Sequence, residues 1–179
     1  MWTRARKFEV APLNWLIGIF QGINDSALAD NIRGTVWVFP TIETIHVVAI
    51  VLVFGSITRL DLRLLGLVWT NRAVTEVAEE MLPFTWVAFV IAAVFGLLLW
   101  SSKPLTYFGI AFFDVKMILI VLAGINMLYF QLITFKNVAQ WDRDPVPPRA
   151  ARLAGGLSLA IWLGVVFCAR FIGFVQDAQ

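Results

Sequence analysis

The sequence predicts an all-α polytopic membrane protein built as a four-transmembrane-helix bundle. Sixty per cent of its 179 residues are apolar and 15% are charged, whereas soluble domains are roughly 45–50% apolar. The mean hydropathy is +0.81, and the charged residues cluster between long apolar runs. Polar groups could not cover such a surface in water, so we expect lipid to surround most of the chain.

Residues 1–34 are predicted to form an N-terminal interfacial segment. The apolar patch at residues 15–20 is too short to span a hydrocarbon core of roughly 30 Å. It lies between Pro12 and a polar stretch at residues 21–33. The basic residues near the start are followed by polar residues and Pro12, a pattern that does not fit a cleavable signal peptide.

Residues 35–179 are predicted to form one transmembrane domain. A spanning helix needs about 20 mostly apolar residues, and four segments meet this requirement. No alternation typical of membrane strands competes with them. The predicted spans cover residues 35–58, 82–100, 107–135 and 153–175.

A short amphipathic helix is predicted at the membrane surface between the first two spans, over residues 71–81. Its apolar residues share one face, and its three glutamates lie largely on the other. Pro83 is expected to end this helix, because proline cannot donate the backbone hydrogen bond that a helix interior requires.

The even number of spans predicts that both termini lie on one side of the membrane, with the loops near Arg63 and Arg149 on the other. Basic residues divide five to seven between these sides. The larger number slightly favours a cytoplasmic position for the two loops.

A net charge of +2 is too small to indicate nucleic acid binding, so the lipid bilayer is the expected partner.

Ionisable residues inside the predicted spans are candidates for a functional site, because charge at depth is costly. Glu43 and Lys116 are expected at similar depth and within salt-bridging distance, since their helices run in the same direction. Pairs of this kind either fix helix packing or mark a proton path, an ion path, or a site for a head group or cofactor. The predicted buried polar centre comprises Glu43, His46, Asp114, Lys116 and Arg170.

His46 is the single histidine of the chain and lies one helical turn after Glu43. A di-iron site would require a second Glu-x-x-His motif, which the sequence does not contain. A b-type haem would require a second axial ligand, for which Met117 or the same histidine of a second subunit could serve. We therefore expect no tightly bound haem in the isolated monomer. The sequence indicates no catalytic residue set and no metal site.

Asp61 and Arg63 form a motif of alternating charge directly after the first predicted span. Charges at this position are typical of a helix end that is anchored among the lipid head groups. The motif is therefore interpreted as a helix-end anchor.

Two motifs carry a resemblance to a known family. The first motif lies in and after the first predicted span and comprises Trp37, Pro40, Glu43, His46, Gly55, Asp61, Arg63 and Gly66. The second lies in the third predicted span and comprises Phe113, Lys116 and residues 123–126. Together they resemble an uncharacterised family of small bacterial four-helix integral membrane proteins, known as a domain of unknown function. The resemblance implies a multi-pass protein of the bacterial cytoplasmic (inner) membrane, and it implies no activity.

These observations favour a non-enzymatic subunit or accessory factor with a buried Glu/His/Lys polar centre. One alternative is a redox or cofactor-binding protein that uses His46 to hold a b-type haem. A second alternative is a component of a proton-coupled transporter, which would have to oligomerise because four helices rarely enclose a path alone. The expected protein partners are further copies of the chain or a larger membrane complex.

Overall fold

The structure is a computed structural model that describes residues 14–177. It confirms the all-α class, and no strand occurs within this described range. The predicted N-terminal segment lies outside it up to residue 13. The helices are α1 (Asn14–Asn24), α2 (Ala27–Gly34), α3 (Val38–Leu64), α4 (Val74–Ser102), α5 (Pro104–Tyr107), α6 (Ala111–Tyr129) and α7 (Arg149–Asp177). A π-helical turn (Phe130–Thr134) and a 3-10 turn (Phe135–Gln140) extend α6.

Four of these helices are long and apolar enough to cross a membrane, as predicted. They are α3, α4, α6 with its two added turns, and α7. The first span begins three residues later than predicted and continues to Leu64, and the last begins at Arg149 instead of residue 153. Charged residues at these ends are therefore part of the helices.

The predicted surface helix at residues 71–81 is not a separate element. Most of it forms the first turns of α4, which continues through Pro83. Val77 and Ala78 are buried and the glutamates are exposed, as the amphipathic pattern predicts. The buried stripe continues into Thr85 beyond the proline. A single missing hydrogen bond does not end α4, because packing on both sides of Pro83 holds the helix in place.

The spanning helices pack in the order α4, α3, α7, α6. Because α3 and α7 lie in the middle, they carry most of the buried contacts, including Val53, Ile161 and Val165. The short helices α1, α2 and α5 lie at the end of the bundle where α4 stops and α6 starts. Arg33 of α2 donates a hydrogen bond to the carbonyl oxygen of Ser102 there.

The opposite end of the bundle is organised around Arg63, whose side chain is fully buried. Its Nε donates to the carbonyl oxygen of Arg72 at 2.9 Å. Its Nη2 donates to the carbonyl oxygens of Asp142 and Asp144 at 3.3 Å and 3.0 Å. One guanidinium group thus joins α3 to the α3–α4 loop and to the α6–α7 loop.

The interpretation of Asp61 and Arg63 as a head-group anchor is therefore wrong. Asp61 is 4% exposed and Arg63 is 0% exposed. The anchor would need both side chains to face the lipid–water boundary. Instead, the two loops fold back over the end of α3 and cover it.

Gly66 allows this close approach of the loops. It ends α3 with a φ of 73°, and the amide of Leu67 donates to the carbonyl oxygen of Leu62 at 3.1 Å. This geometry is the helix-ending motif that favours glycine. A Cβ at Gly66 would also lie 3.0 Å from the carbonyl oxygen of Pro145, so a side chain there would push the α6–α7 loop away.

The α6–α7 loop also caps the start of α4. The carboxylate of Asp142 accepts from the Thr75 amide at 2.8 Å and from the Thr75 hydroxyl at 2.7 Å. The first amides of a helix have no partner within the helix. Asp142 therefore supplies from another loop the cap that Ala73, the residue preceding α4, cannot supply.

We expect Asp142→Ala to destabilise the protein by about 0.5–2 kcal/mol, the usual contribution of a helix cap. Asp144→Ala is the matched control, because its carboxylate is exposed and its carbonyl oxygen, which Arg63 uses, is retained. The thermal unfolding midpoint in detergent micelles measures the difference. Equal shifts for the two variants would contradict the capping role.

Candidate functional site

Two cavities lie along the side of the bundle between α4 and α6. These helices stand at the two edges of the packing order and do not pack closely on each other. The larger cavity has a volume of about 520 Å³ and the smaller one a volume of about 230 Å³. Phe89, Ile120 and Trp162 line both and lie between them. Each cavity is only partly enclosed, so the gap between α4 and α6 gives access from the side.

The larger cavity, called the His46 cavity here, lies in the half of the bundle that contains the start of α6. Its ionisable lining residues are His46 and Lys116. Apolar side chains such as Ile50 and Trp100 form most of the remaining wall. The structure thus brings together two of the five residues predicted to form a polar centre.

The imidazole of His46 is held in one orientation by α4. Its Nδ1 lies 2.8 Å from the carbonyl oxygen of Ala92. A carbonyl oxygen only accepts, so Nδ1 carries the hydrogen and Nε2 of the neutral ring is left as an acceptor. Gly96 makes room for the ring, since a Cβ there would lie 2.7 Å from Cε1 of His46.

Lys116 brings a positive charge to the same cavity. It lies on α6, is half-buried, and is close enough to His46 for the two groups to interact electrostatically. Its Nζ is 6.0 Å from the centre of the Phe113 ring. Within residues 14–177, no carboxylate forms an ion pair with Lys116. The ammonium group therefore has no counter-ion in the described part of the chain.

The other three residues of the predicted centre face outward from the bundle. Glu43, Asp114 and Arg170 are exposed, and Arg170 lies over the ring of Phe174 at 4.3 Å. The predicted Glu43–Lys116 salt bridge is not present. The prediction of one buried cluster is therefore corrected to a His46–Lys116 pair.

The position of Glu43 around α3 explains this difference. The buried face of the helix includes Ile42, Ala49 and Val53. Successive residues of an α-helix are rotated by about 100°, so Glu43 turns away from the face that includes Ile42. The sequence predicted that Glu43 lies in the first spanning helix, as it does, but it could not fix the direction of the side chain around that helix.

Met117, the other candidate ligand, also lines the His46 cavity, although its side chain is 46% exposed. No group of three or more His, Cys, Asp or Glu side chains suited to a metal ion occurs among the described residues. Any haem iron in this cavity would therefore depend on His46 with Met117 or with a ligand from another molecule.

Sequence reasoning missed Gly96 and the Ala92 carbonyl as determinants of the His46 orientation. Gly96 lies six residues before the end of α4, and His46 lies eight residues after the start of α3. The two helices are antiparallel, so at about 1.5 Å per residue these positions have similar depths of about 9 and 12 Å. A glycine opposite the single histidine was the available signal.

Comparisons with known proteins give no relative for this chain. No protein-family model, no curated protein and no solved structure matched it. The geometry of the cavities is therefore the basis for any functional inference.

Proposed function

We propose that the protein is a non-enzymatic accessory membrane protein that binds a single-chain lipid acid in the His46 cavity. The observation that carries this proposal is the Lys116 ammonium group, which lines the cavity without a carboxylate partner among residues 14–177. The carboxylate of a lipid acid would supply the missing counter-ion.

The cost of leaving the Lys116 ammonium group unpaired supports a negatively charged ligand. Ionisable groups inside a membrane are normally paired or face water, and hydrogen bonds between ammonium and carboxylate groups are among the strongest in proteins. Asp114, two residues before Lys116, faces away from the bundle. A membrane-dissolved acid can reach Lys116 through the gap between α4 and α6.

The distribution of polarity within the cavity supports an amphiphile. Lys116 lies five residues after the start of α6, a distance of about 7.5 Å along the helix. Val53, Ile120 and Trp162 line the deeper part. The polar end is therefore nearer the membrane surface and the apolar end nearer its centre, which is the orientation of a lipid. The volume of about 520 Å³ is within the usual range for small-molecule sites, about 300–1,000 Å³.

His46 gives the head group a second contact. Neutral imidazole accepts at Nε2, so a protonated acid can donate to it, and an imidazolium can donate to an ionised acid. Because Ala92 already fixes the ring through Nδ1, little side-chain freedom remains to be lost when the ligand binds.

We expect Lys116→Gln to weaken binding of a photoreactive palmitic acid analogue by about tenfold or more. A hydrogen bond to a charged group contributes about 1.5–3 kcal/mol, and about 1.4 kcal/mol corresponds to tenfold in affinity. Labelling of the Phe89 and Ile120 peptides in nanodiscs of zwitterionic lipid, followed by mass spectrometry, measures binding.

Lys103→Gln is the matched control, because Lys103 is exposed and lies outside the cavity. Unlabelled palmitic acid should compete and hexadecanol should not. A lysophosphatidic acid that competes equally would broaden the ligand class to any single-chain anion. Equal labelling of the Lys116→Gln variant and the wild type would refute the proposal.

A b-type haem is the second candidate ligand of this cavity. Metal-binding histidines commonly donate their other ring N–H to a backbone carbonyl, and His46 has this arrangement with Ala92. Met117 lines the same cavity. The two candidates compete for one space, so one measurement separates them.

We expect the absorption spectrum of the purified protein to lack a Soret band, because the chain has one histidine. The protein should be expressed with added haem precursor, so that haem supply does not limit haem binding. A Soret band in the wild type that is lost in His46→Ala and kept in Glu43→Ala would show that the cavity binds haem and not a lipid acid.

A further inference from the structure

The smaller cavity, called the Asp61 cavity here, has no role in the function proposed above. It lies in the other half of the bundle, beyond Phe89, Ile120 and Trp162. Its volume is about 230 Å³, and its wall is mostly apolar. Asp61 of α3 is its one charged lining residue.

The carboxylate of Asp61 is enclosed but incompletely partnered. The residue is 4% exposed, and the Ser158 side chain is its hydrogen-bonding neighbour. The Oδ2 atom is buried and has no hydrogen-bond partner in the described part of the chain. A buried acceptor without a partner carries a desolvation cost that a donor would remove.

The neighbouring cations form no ion pair with Asp61, although Nη1 of Arg63 and Nε of Arg59 are themselves buried without a hydrogen-bond partner. Arg59 forms an ion pair with Glu80 at 3.2 Å. Arg63 directs Nε and Nη2 to the carbonyl oxygens of two loops. Neither arginine lies within 4.0 Å of the Asp61 carboxylate, so a cation for this carboxylate has to come from outside residues 14–177.

Two other polar side chains of the cavity, those of Thr85 and Asn126, bond within the bundle. The Thr85 hydroxyl bonds to Ser56 at 2.7 Å and to the carbonyl oxygen of Met81 at 2.8 Å. The amide nitrogen of Asn126 donates to the carbonyl oxygen of Ala154 at 3.0 Å. The amide oxygen of Asn126 has no donor in the described structure and remains available as an acceptor. A ligand that supplies donors would therefore satisfy both the Oδ2 atom of Asp61 and the amide oxygen of Asn126.

Aromatic rings form much of the remaining wall, namely Trp86, Phe89, Phe130 and Trp162. The faces of such rings attract cations, most strongly when water is excluded. A carboxylate, free acceptors and aromatic rings together favour an ammonium group, which offers three donors and a positive charge.

We propose that the Asp61 cavity binds a lipophilic primary amine, with its ammonium group on the Asp61 carboxylate and its alkyl chain in the gap between α4 and α6. The bundle would then carry two sites of opposite charge preference, one in each half of the membrane. This site does not depend on ligand binding at Lys116.

Photolabelling with a diazirine-bearing alkylamine in nanodiscs of zwitterionic lipid tests the proposal. We expect labelling of the peptides that contain Trp86 and Phe130. Asp61→Asn should reduce it by about tenfold or more, because it removes the charge and the strongest acceptor. Glu79→Gln is the matched control, since Glu79 is an exposed acid on α4 outside the cavity.

Competition on the wild-type protein keeps the test valid if Asp61→Asn fails to fold. Dodecylamine should displace the label, whereas dodecanol of equal chain length should not. Lys116→Gln should leave this labelling unchanged, so failure of the lipid-acid site is distinguishable from failure of this one. Equal competition by dodecanol, or equal labelling of Asp61→Asn and wild type, would overturn the proposal.

Discussion

The hydrogen bonds of the Arg63 guanidinium determine how one end of this bundle is closed. A fully buried charge needs partners, and Arg63 finds them in carbonyl oxygens of the loops after α3 and after α6. Loop carbonyls at a membrane protein's end would otherwise require water. By binding both loops at once, Arg63 holds the loop before α4 and the α6–α7 loop against the end of α3. Gly66 and Asp142 support the same closure through backbone shape and helix capping.

The packing that follows leaves one side of the bundle open. With α3 and α7 in the middle and α4 and α6 at the edges, Phe89, Ile120 and Trp162 separate two cavities between the edge helices. The cavities on either side of these residues each hold one ionisable side chain, Lys116 or Asp61, without an ion-pair partner among residues 14–177. Charges without partners inside a membrane protein are costly, and both proposed ligands would neutralise them.

The sequence was sufficient for the fold class, because long apolar runs have few stable structures other than membrane helices. Of the five residues predicted to form one polar centre, His46 and Lys116 line the same cavity. The direction of a side chain around its helix was not predictable. Glu43 directly follows the buried Ile42, and one residue step turns the side chain by about 100° to a different face. The role of Arg63 was beyond sequence reasoning, because its partner carbonyls lie up to 81 residues away and any residue type could supply them.

Thermal unfolding of Arg63→Met and Arg59→Met in detergent micelles tests the central role of Arg63 most directly. Both variants remove one guanidinium from the same turn region of α3, but Arg59 is partly exposed and pairs with the exposed Glu80. Loss of Arg63 should leave the carbonyl oxygens of Arg72 and Asp144 without their donor, at about 1–3 kcal/mol for each one that stays buried. The carbonyl oxygen of Asp142 keeps the Val74 amide as a donor. We predict that Arg63→Met loses most of the folded protein, whereas Arg59→Met changes stability by about 1 kcal/mol or less. Equal stability of the two variants would contradict the account.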